Sequence, residues 1–502
     1  MNFTGTIRDR HEQARGEIAD LDFDAYIDEE TRPASTGETF EPTDPSVRES
    51  ITTVAQCGST DVDDAVAAAD AAFEHGWGSM DAGDRAELIR TWVDELRDNV
   101  SELALLQALE IGKPLDYAKA DIENGLDFFE YYANVSVAQE GEHVPTGTDS
   151  HAYVRQEPYG VTGQILPWNY PILLMGWKVG AALAAGNTTV VKPPSPAPLS
   201  VIRAGQLTND ILPGGVVNVV PGSGGDVGEP IINHPDVGKV SFTGSVPVGQ
   251  SIMRTAADTV TPVTLELGGK NPFIVFPDAD IDEAAANAAT GGMYNAGQSC
   301  DSATRILVHE EVKAEFVDAY LEELSGWEPG DPLEEGATMG PLAYEGHRQS
   351  VDDYVDVGRE EGANVLHGGE PPEGDEYADG VFYQPTVFDD VEPDMRISQE
   401  EVFGPVQFLM TFADYEEAIE IANDVDYGLT AGIATENPSV AHRAAADVEA
   451  GSVWVNQYFG TVPGTPFGGF KQSGFGRECA QQALEEHTRS KSVNVALDDP
   501  PY

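Results

Sequence analysis

Of the three cysteines in this 502-residue chain, Cys57, Cys300 and Cys479, one closes the stretch NAGQSC at 295–300. A thiol after a small, glycine-containing turn can pack as a small hydrophobe. It can also attack a carbon, provided a base, an oxyanion site and an acceptor stand nearby. Glu266, in LELGGKNP at 265–272, is a lone acid at the apolar end of a strand. Such a carboxylate is costly to bury unless paired or functional. Desolvation would raise its pKa, as suits a general base, although a salt bridge across a domain joint explains it too. In LPWNYP at 166–171, two prolines fix the backbone around Asn169. Its amide could donate to a developing oxyanion, or the segment could be only a proline-rich turn.

Elements of alternating type would position these groups. The stretch 84–111 has apolar residues at three- and four-residue spacing and predicts one long amphipathic helix. From residue 188, the strand patterns TTVVK, VVNVV, KVSFTG and VTLELGG alternate with helical patterns beginning near Leu199, Asp226 and Val246. That alternation predicts an α/β fold with a parallel, doubly wound sheet. A second α/β series follows Cys300, through RILVH, EEVKAEFVDAYLEEL, YEEAIEIANDVDYGL and GSVWVN, so two α/β domains should meet near 267–269. The stretch 330–385, rich in Pro, Gly and Glu, reads as surface with some helix. PGSGGDVG at 221–228 does not match GxGxxG and is a weak phosphate signal alone. SFTGSVPVG at 241–249 is a strand, a glycine and a helix start, whose free N–H groups could face a pyrophosphate or could be an ordinary connection.

Composition narrows the function classes. A hydrophobic fraction of 41% is ample for a core, and the length suits two to four domains of about 150 residues. Three irregularly spaced cysteines form no disulfide framework and point to a reducing cytoplasm. The N-terminus lacks an apolar signal core, and the most apolar run, 172–186, is too short to span a bilayer and holds Lys178. A net charge of −60, from 87 acidic and 27 basic residues, disfavours nucleic acid and anionic membrane as partners. Its spread along the chain is similar to that of proteins from salt-accumulating halophiles. Against it, nine lysines survive: Lys113, Lys119, Lys178, Lys192, Lys239, Lys270, Lys313, Lys471 and Lys491. The histidines show no HExxH or other metal-ligand spacing, so no catalytic metal is expected.

LELGGKNP, then NAGQSC with its cysteine 34 residues after Glu266, PWNYP upstream, and EEVFGP and PFGGFKQSGFGRE downstream together resemble the aldehyde dehydrogenase superfamily. The resemblance runs from about residue 51 to 490 and implies that family's fold: two Rossmann-related α/β domains and a small β oligomerisation element. The implied division is 1–135 with 161–267 for the dinucleotide, 268–475 for catalysis, and 136–160 with 476–502 for oligomerisation into a homodimer or homotetramer. It also implies NAD(P)-dependent oxidation of a small-molecule aldehyde to the acid. Cys300 would form the thiohemiacetal and then the thioester, Asn169 and the Cys300 backbone N–H would hold the oxyanion, and Glu266 would activate the hydrolytic water. Lys178 matches a proton-relay lysine. The glutamate favours release of a free acid over the branch that passes its thioester to coenzyme A.

The implied cofactor residues are Ile165, Trp168, Lys192, Ser195, Gly225, Phe242, Gly244, Ser245, Gly268, Glu401 and Phe403. NAD-preferring members often carry Glu three residues after the Lys192 position, whereas this chain reads KPPS. With Ser195 there, a ribose-binding carboxylate and its repulsion of a 2′-phosphate are both lost, so either NAD or NADP is expected, with NADP accepted. Tyr170, Trp177, Phe459 and Phe467 match positions lining the aldehyde tunnel. They suit broad aliphatic or aromatic aldehydes, betaine aldehyde through cation–π contacts, or a semialdehyde such as succinate semialdehyde. Cys57 and Cys479 lack such motifs and read as packed or surface thiols.

Overall fold

A computed structural model describes residues 3–497. Residues 1–2 and 498–502, the outer ends of the expected first and last segments, lie outside the described residues. The expected parallel sheet forms the centre of an eight-stranded sheet. Its five inner strands lie in the order Val217–Val219, Thr188–Lys192, Val161–Ile165, Val237–Thr243 and Val263–Glu266, all parallel. In chain order that is third, second, first, fourth, fifth. The sheet is therefore built outward in both directions from Val161–Ile165. A crevice opens beyond the carboxyl ends where the two directions part. Both faces of Thr188–Lys192 are covered, which is why its sequence is a β-branched run without polar alternation.

The second sheet has seven strands, parallel except for the edge pair Asn364–His367 and Thr386–Asp389. Its centre is Arg305–His309 beside Pro272–Val275. A third, antiparallel sheet joins Glu142–Val144, Ser150–Pro158 and Thr488–Ala496. The short strand Gly474–Phe475 pairs with Val263–Glu266, so the end of the 268–475 span is strand of the first sheet.

One expectation needs correcting. The stretch 84–111 is two helices, Ala82–Asp98 and Val100–Ile111. Asn99 separates them, with φ −104° and ψ 11°, and its amide donates to the Glu95 carbonyl at 2.8 Å. A short amide side chain competes with the helix for backbone groups in this way. The second helix is buried all round from Leu103 to Ile111, so it is a core helix. The stretch 330–385 has the expected helix, Glu345–Glu361, which buries His347, Val351, Val355 and Gly358.

The helices Leu115–Val137 and Pro171–Ala184 touch backbone to backbone. A Cβ on Gly176 would lie 2.3 Å from the Gly125 carbonyl oxygen, so only glycine permits the approach. That contact fixes the segment 166–170, which precedes the second helix, against the first domain's helical core.

Candidate active site

The helix Ile281–Met293 stops just short of the cysteine, and the chain then takes three left-handed residues in a row: Asn295 (φ 53°), Ala296 (φ 55°) and Gly297 (φ 68°). Non-glycine residues there cost about 1–2 kcal/mol each. A Cβ on Gly297 would fall 2.1 Å from the Gly404 carbonyl oxygen. Hydrogen bonds hold the strained turn. The Asn295 amide donates to the carbonyls of Asn169 (3.1 Å) and Gln298 (3.2 Å), and the Gln298 amide donates to the Asn295 carbonyl (2.9 Å). The turn leaves Cys300 half-buried. Burial first, then Asp301, Glu401 and Glu266, push its thiol well above the usual range, so it is protonated at neutral pH.

Asn169 is buried one residue before Tyr170, the N-cap of Pro171–Ala184. Its side-chain amide donates to the Gln298 carbonyl at 3.0 Å, two residues from Cys300. Glu266 ends its strand 3% exposed, with neither carboxylate oxygen hydrogen-bonded. Burial, and next the Glu478 carboxylate, raise its pKa well above the usual range. Lys178 does not bond Glu266. Its ammonium donates to the Ser241 hydroxyl at 3.1 Å and pairs with Glu478 at 2.5 Å. Glu478, the last residue of the PFGGFKQSGFGRE stretch, had no separate signal in the sequence.

A cavity of about 870 Å³ opens at the carboxyl ends of the first sheet. Cys300 and Asn169 lie on its wall. So does each expected cofactor residue: Ile165, Trp168, Lys192, Ser195, Gly225, Phe242, Gly244, Ser245, Gly268, Glu401 and Phe403. Ser245 N-caps the helix Val246–Thr259, whose free N–H groups and dipole suit an anion. Gly268 admits Glu401, since a Cβ there would lie 2.2 Å from Glu401 Oε2, and the Gly269 N–H donates to Glu401 Oε1 at 3.0 Å. Burial raises the Glu401 carboxyl to about 7, against the Gly269 N–H and Lys270. Lys192 donates to the Pro193 carbonyl at 2.9 Å, and burial lowers its ammonium to about 8. The Ser195 hydroxyl donates to the Gly222 carbonyl at 3.0 Å.

Other residues on this wall were not foreseen, among them an aromatic group beside Trp168. Tyr344 and His347 pack against Trp168, at 5.9 and 5.3 Å between ring centroids, beside Phe403 at 5.4 Å. Burial lowers the His347 imidazole to about 4, so at neutral pH it is uncharged and its Nε2–H donates to the Phe403 carbonyl at 2.8 Å. Phe403 itself has φ 61°. Exposed Glu229 is another unforeseen wall residue.

The four expected aldehyde-tunnel residues are absent from this wall. The rings of Trp177 and Phe467 lie 5.0 Å apart at a tilt of 56°, and Phe467 is 1% exposed. Tyr170 is buried, while half-buried Phe459 packs on Tyr294 at 5.7 Å. Cys57 and Cys479 are both buried. Among the described residues there is no group of three or more His, Cys, Asp or Glu placed to hold a metal, and no helix long and apolar enough to cross a membrane.

Comparison with known proteins agrees with this geometry. The family model described as the aldehyde dehydrogenase family matches residues 32–493. An aldehyde dehydrogenase of Emericella nidulans is 42% identical over 476 residues, covering 94% of this chain and 95% of the relative. The structure of betaine aldehyde dehydrogenase from Staphylococcus aureus in complex with NAD+ superposes with a TM-score of 0.95 at 36% identity, covering 98% of each chain. The aldehyde dehydrogenase KauB from Pseudomonas aeruginosa gives 0.95 at 37% identity, covering 98% of this chain and 100% of that one. The chain therefore belongs to the aldehyde dehydrogenase family of oxidoreductases.

Proposed function

We propose that this protein oxidises an aldehyde to its carboxylic acid through Cys300, using NAD or NADP. The observation that carries the reading is one cavity walled by Cys300, Asn169, the start of the helix Val246–Thr259 and Glu401. Those residues fit a dinucleotide: a pyrophosphate at the Ser245 helix start, an adenosine ribose near Lys192 and Ser195, and a nicotinamide ribose near Glu401 with Phe403 beside the ring. The bound dinucleotide supplies the acceptor for the hydride that leaves the aldehyde carbon.

The remaining steps belong to the chain. Cys300, on the cavity wall, gives its proton to water in the cavity, and its sulfur bonds to the carbonyl carbon while the carbonyl electron pair moves onto oxygen. The Asn169 amide and the Cys300 N–H donate to that oxyanion. Loss of hydride restores the carbonyl as a thioester. Glu266 then takes a proton from water, the water oxygen attacks, and the carbon–sulfur bond breaks to release the acid. Glu266 suits this step because no hydrogen bond occupies its oxygens. Lys178 and Glu478, a hydrogen-bonded pair whose charges both act on the Glu266 carboxyl, would carry the proton outward.

Tyr170, Trp177, Phe459 and Phe467 would line the aldehyde side and favour broad aliphatic or aromatic substrates. The likeness to the Staphylococcus enzyme favours betaine aldehyde as the second reading. Against a cation box, the Lys113 ammonium already sits 3.7 Å over the Tyr170 ring. Ser195 in place of a carboxylate supports use of NADP. The expected domain division and a homodimer or homotetramer complete the proposal. Pairing through the third sheet is supported by its exposed Val144, Val495 and Leu497. The charge of −60 supports a cytoplasmic, salt-adapted enzyme.

The test follows reduced-cofactor absorbance in molar KCl with a panel of aldehydes, each with NAD and NADP. Cys300→Ala is expected to lower turnover by at least ~10³-fold. Turnover indifferent to Cys300, or absent for every aldehyde, overturns the reading.

A further inference from the structure

Lys113 is one of nine lysines in a chain with 87 acidic residues, yet its side chain is fully buried. An ammonium is costly to bury without partners. Its partners are specific. It pairs with Asp121 at 2.5 Å, donates to the main-chain carbonyl of Asn169 at 2.9 Å, and lies over the Tyr170 ring at 3.7 Å. The other oxygen of Asp121 accepts from the Tyr294 hydroxyl at 2.8 Å. Tyr294 begins the left-handed turn that presents Cys300, and the next residue, Asn295, donates to the same Asn169 carbonyl at 3.1 Å. One buried ion pair therefore ties the segment carrying the oxyanion amide to the segment carrying the thiol.

We propose that Lys113, held by Asp121, is a positioning residue that sets the distance and angle between the Asn169 amide and Cys300. The inference rests on the catalytic reading above. Lys113 is absent from the wall of the dinucleotide cavity, so cofactor affinity is outside its reach. Two peptide segments from different domains meet here, and a displacement of about 1 Å between reacting groups can cost ~10²-fold in rate. The Asn169 carbonyl would keep only the Asn295 bond without Lys113, and the Tyr170 ring would lose the cation on its face.

The experiment compares wild type, Lys113→Met, Lys113→Arg and Tyr294→Phe in four measurements: kcat, KM for the aldehyde, the dissociation constant of the cofactor, and the rate of Cys300 alkylation by iodoacetamide. Alkylation needs the thiol but no oxyanion donor. For Lys113→Met, kcat/KM is expected to fall ~10–100-fold with kcat carrying most of the loss, while cofactor binding and alkylation stay near wild type. Lys113→Arg should restore part of the rate. Tyr294→Phe, which keeps the ring and removes only the hydroxyl, should lose ~3–10-fold. Wild-type kcat/KM in Lys113→Met or Tyr294→Phe overturns the proposal. So does a loss shared equally by cofactor binding and alkylation, which would mark a structural ion pair only. If Lys113→Met does not fold, Tyr294→Phe alone decides. A wild type without aldehyde turnover overturns the catalytic reading and this inference together, whereas active wild type with unaffected variants overturns this inference alone.

Discussion

The two sides of Cys300 are built differently. On the dinucleotide side, all eleven residues expected from the sequence line one cavity of about 870 Å³. On the other side, the four expected aromatics line none of it, and Phe467 is core. The first side is made by backbone: strand ends, a helix start, and glycines such as Gly268 that admit a neighbour at van der Waals distance. Backbone geometry of that kind demands particular residues at particular positions. The second side is made by packing, where an aromatic ring serves a core as readily as a pocket. Sequence is therefore a sharper guide to which residues share this cavity than to where the four aromatics would stand.

After loss of the thiol itself, Glu266→Gln should have the largest effect, because Glu266 serves only the step after both sides have acted. Hydride transfer in the first turnover should persist while steady-state release falls ~10²–10⁴-fold. Stability should move the opposite way. The folded pKa of Glu266 is raised, so its contribution is fully present below the unfolded value near 4.5 and is lost as pH rises. At pH 8 the glutamine variant should be at least as stable as wild type, and any excess should vanish near pH 4.5, by denaturant unfolding at both pH values. A variant less stable at pH 8 would show that the carboxylate has a partner in solution.

A pair of substitutions sharpens the account of the aromatic side. Phe467→Ala removes a ring that is 1% exposed and should cost about 3–5 kcal/mol in unfolding free energy. Phe459→Ala removes a half-buried ring at φ 55° and should cost less than half of that. It should instead change the ranking of aldehydes by kcat/KM. If the large stability loss falls on Phe459 instead, its assignment to the aldehyde path fails.

The same contrast explains what could be read in advance. Runs such as TTVVK were legible because a parallel strand covered on both faces is rich in β-branched residues and lacks the polar alternation of a half-exposed strand. Cys300, Glu266 and Asn169 each kept a bland reading on its own, and they stood out because their motifs in order and at their spacings resemble one family. The break at Asn99 was not, since an asparagine within a helical pattern is common and only its bond to Glu95 shows that it interrupts. Tyr344 and His347 were hidden by the charged helix Glu345–Glu361, although its buried positions 347, 351, 355 and 358 keep helical spacing. The Lys178–Glu478 pair is separated by 300 residues, and no local pattern announces such a partner.

The smallest effect expected lies on the dinucleotide side and concerns charge. Glu401 is accommodated by a glycine and held by one backbone N–H, and burial raises its carboxyl to about 7. It is therefore largely neutral below that pH and a carboxylate above it. An oxidised nicotinamide ring is cationic, so a ribose-binding carboxylate near it should hold the oxidised cofactor more tightly than the neutral acid does. Affinity for the oxidised cofactor should accordingly rise ~2–5-fold as pH increases through about 7, and by linkage the bound cofactor should lower the carboxyl pKa by the same factor. The reduced cofactor, with a neutral ring, should show a weaker dependence. Titration calorimetry from pH 6 to 8 on wild type and Glu401→Gln separates the outcomes. Loss of the pH dependence in the glutamine variant assigns it to Glu401. Its persistence would move the titration to another group on the wall, with the Lys192 ammonium, lowered to about 8, the next to examine.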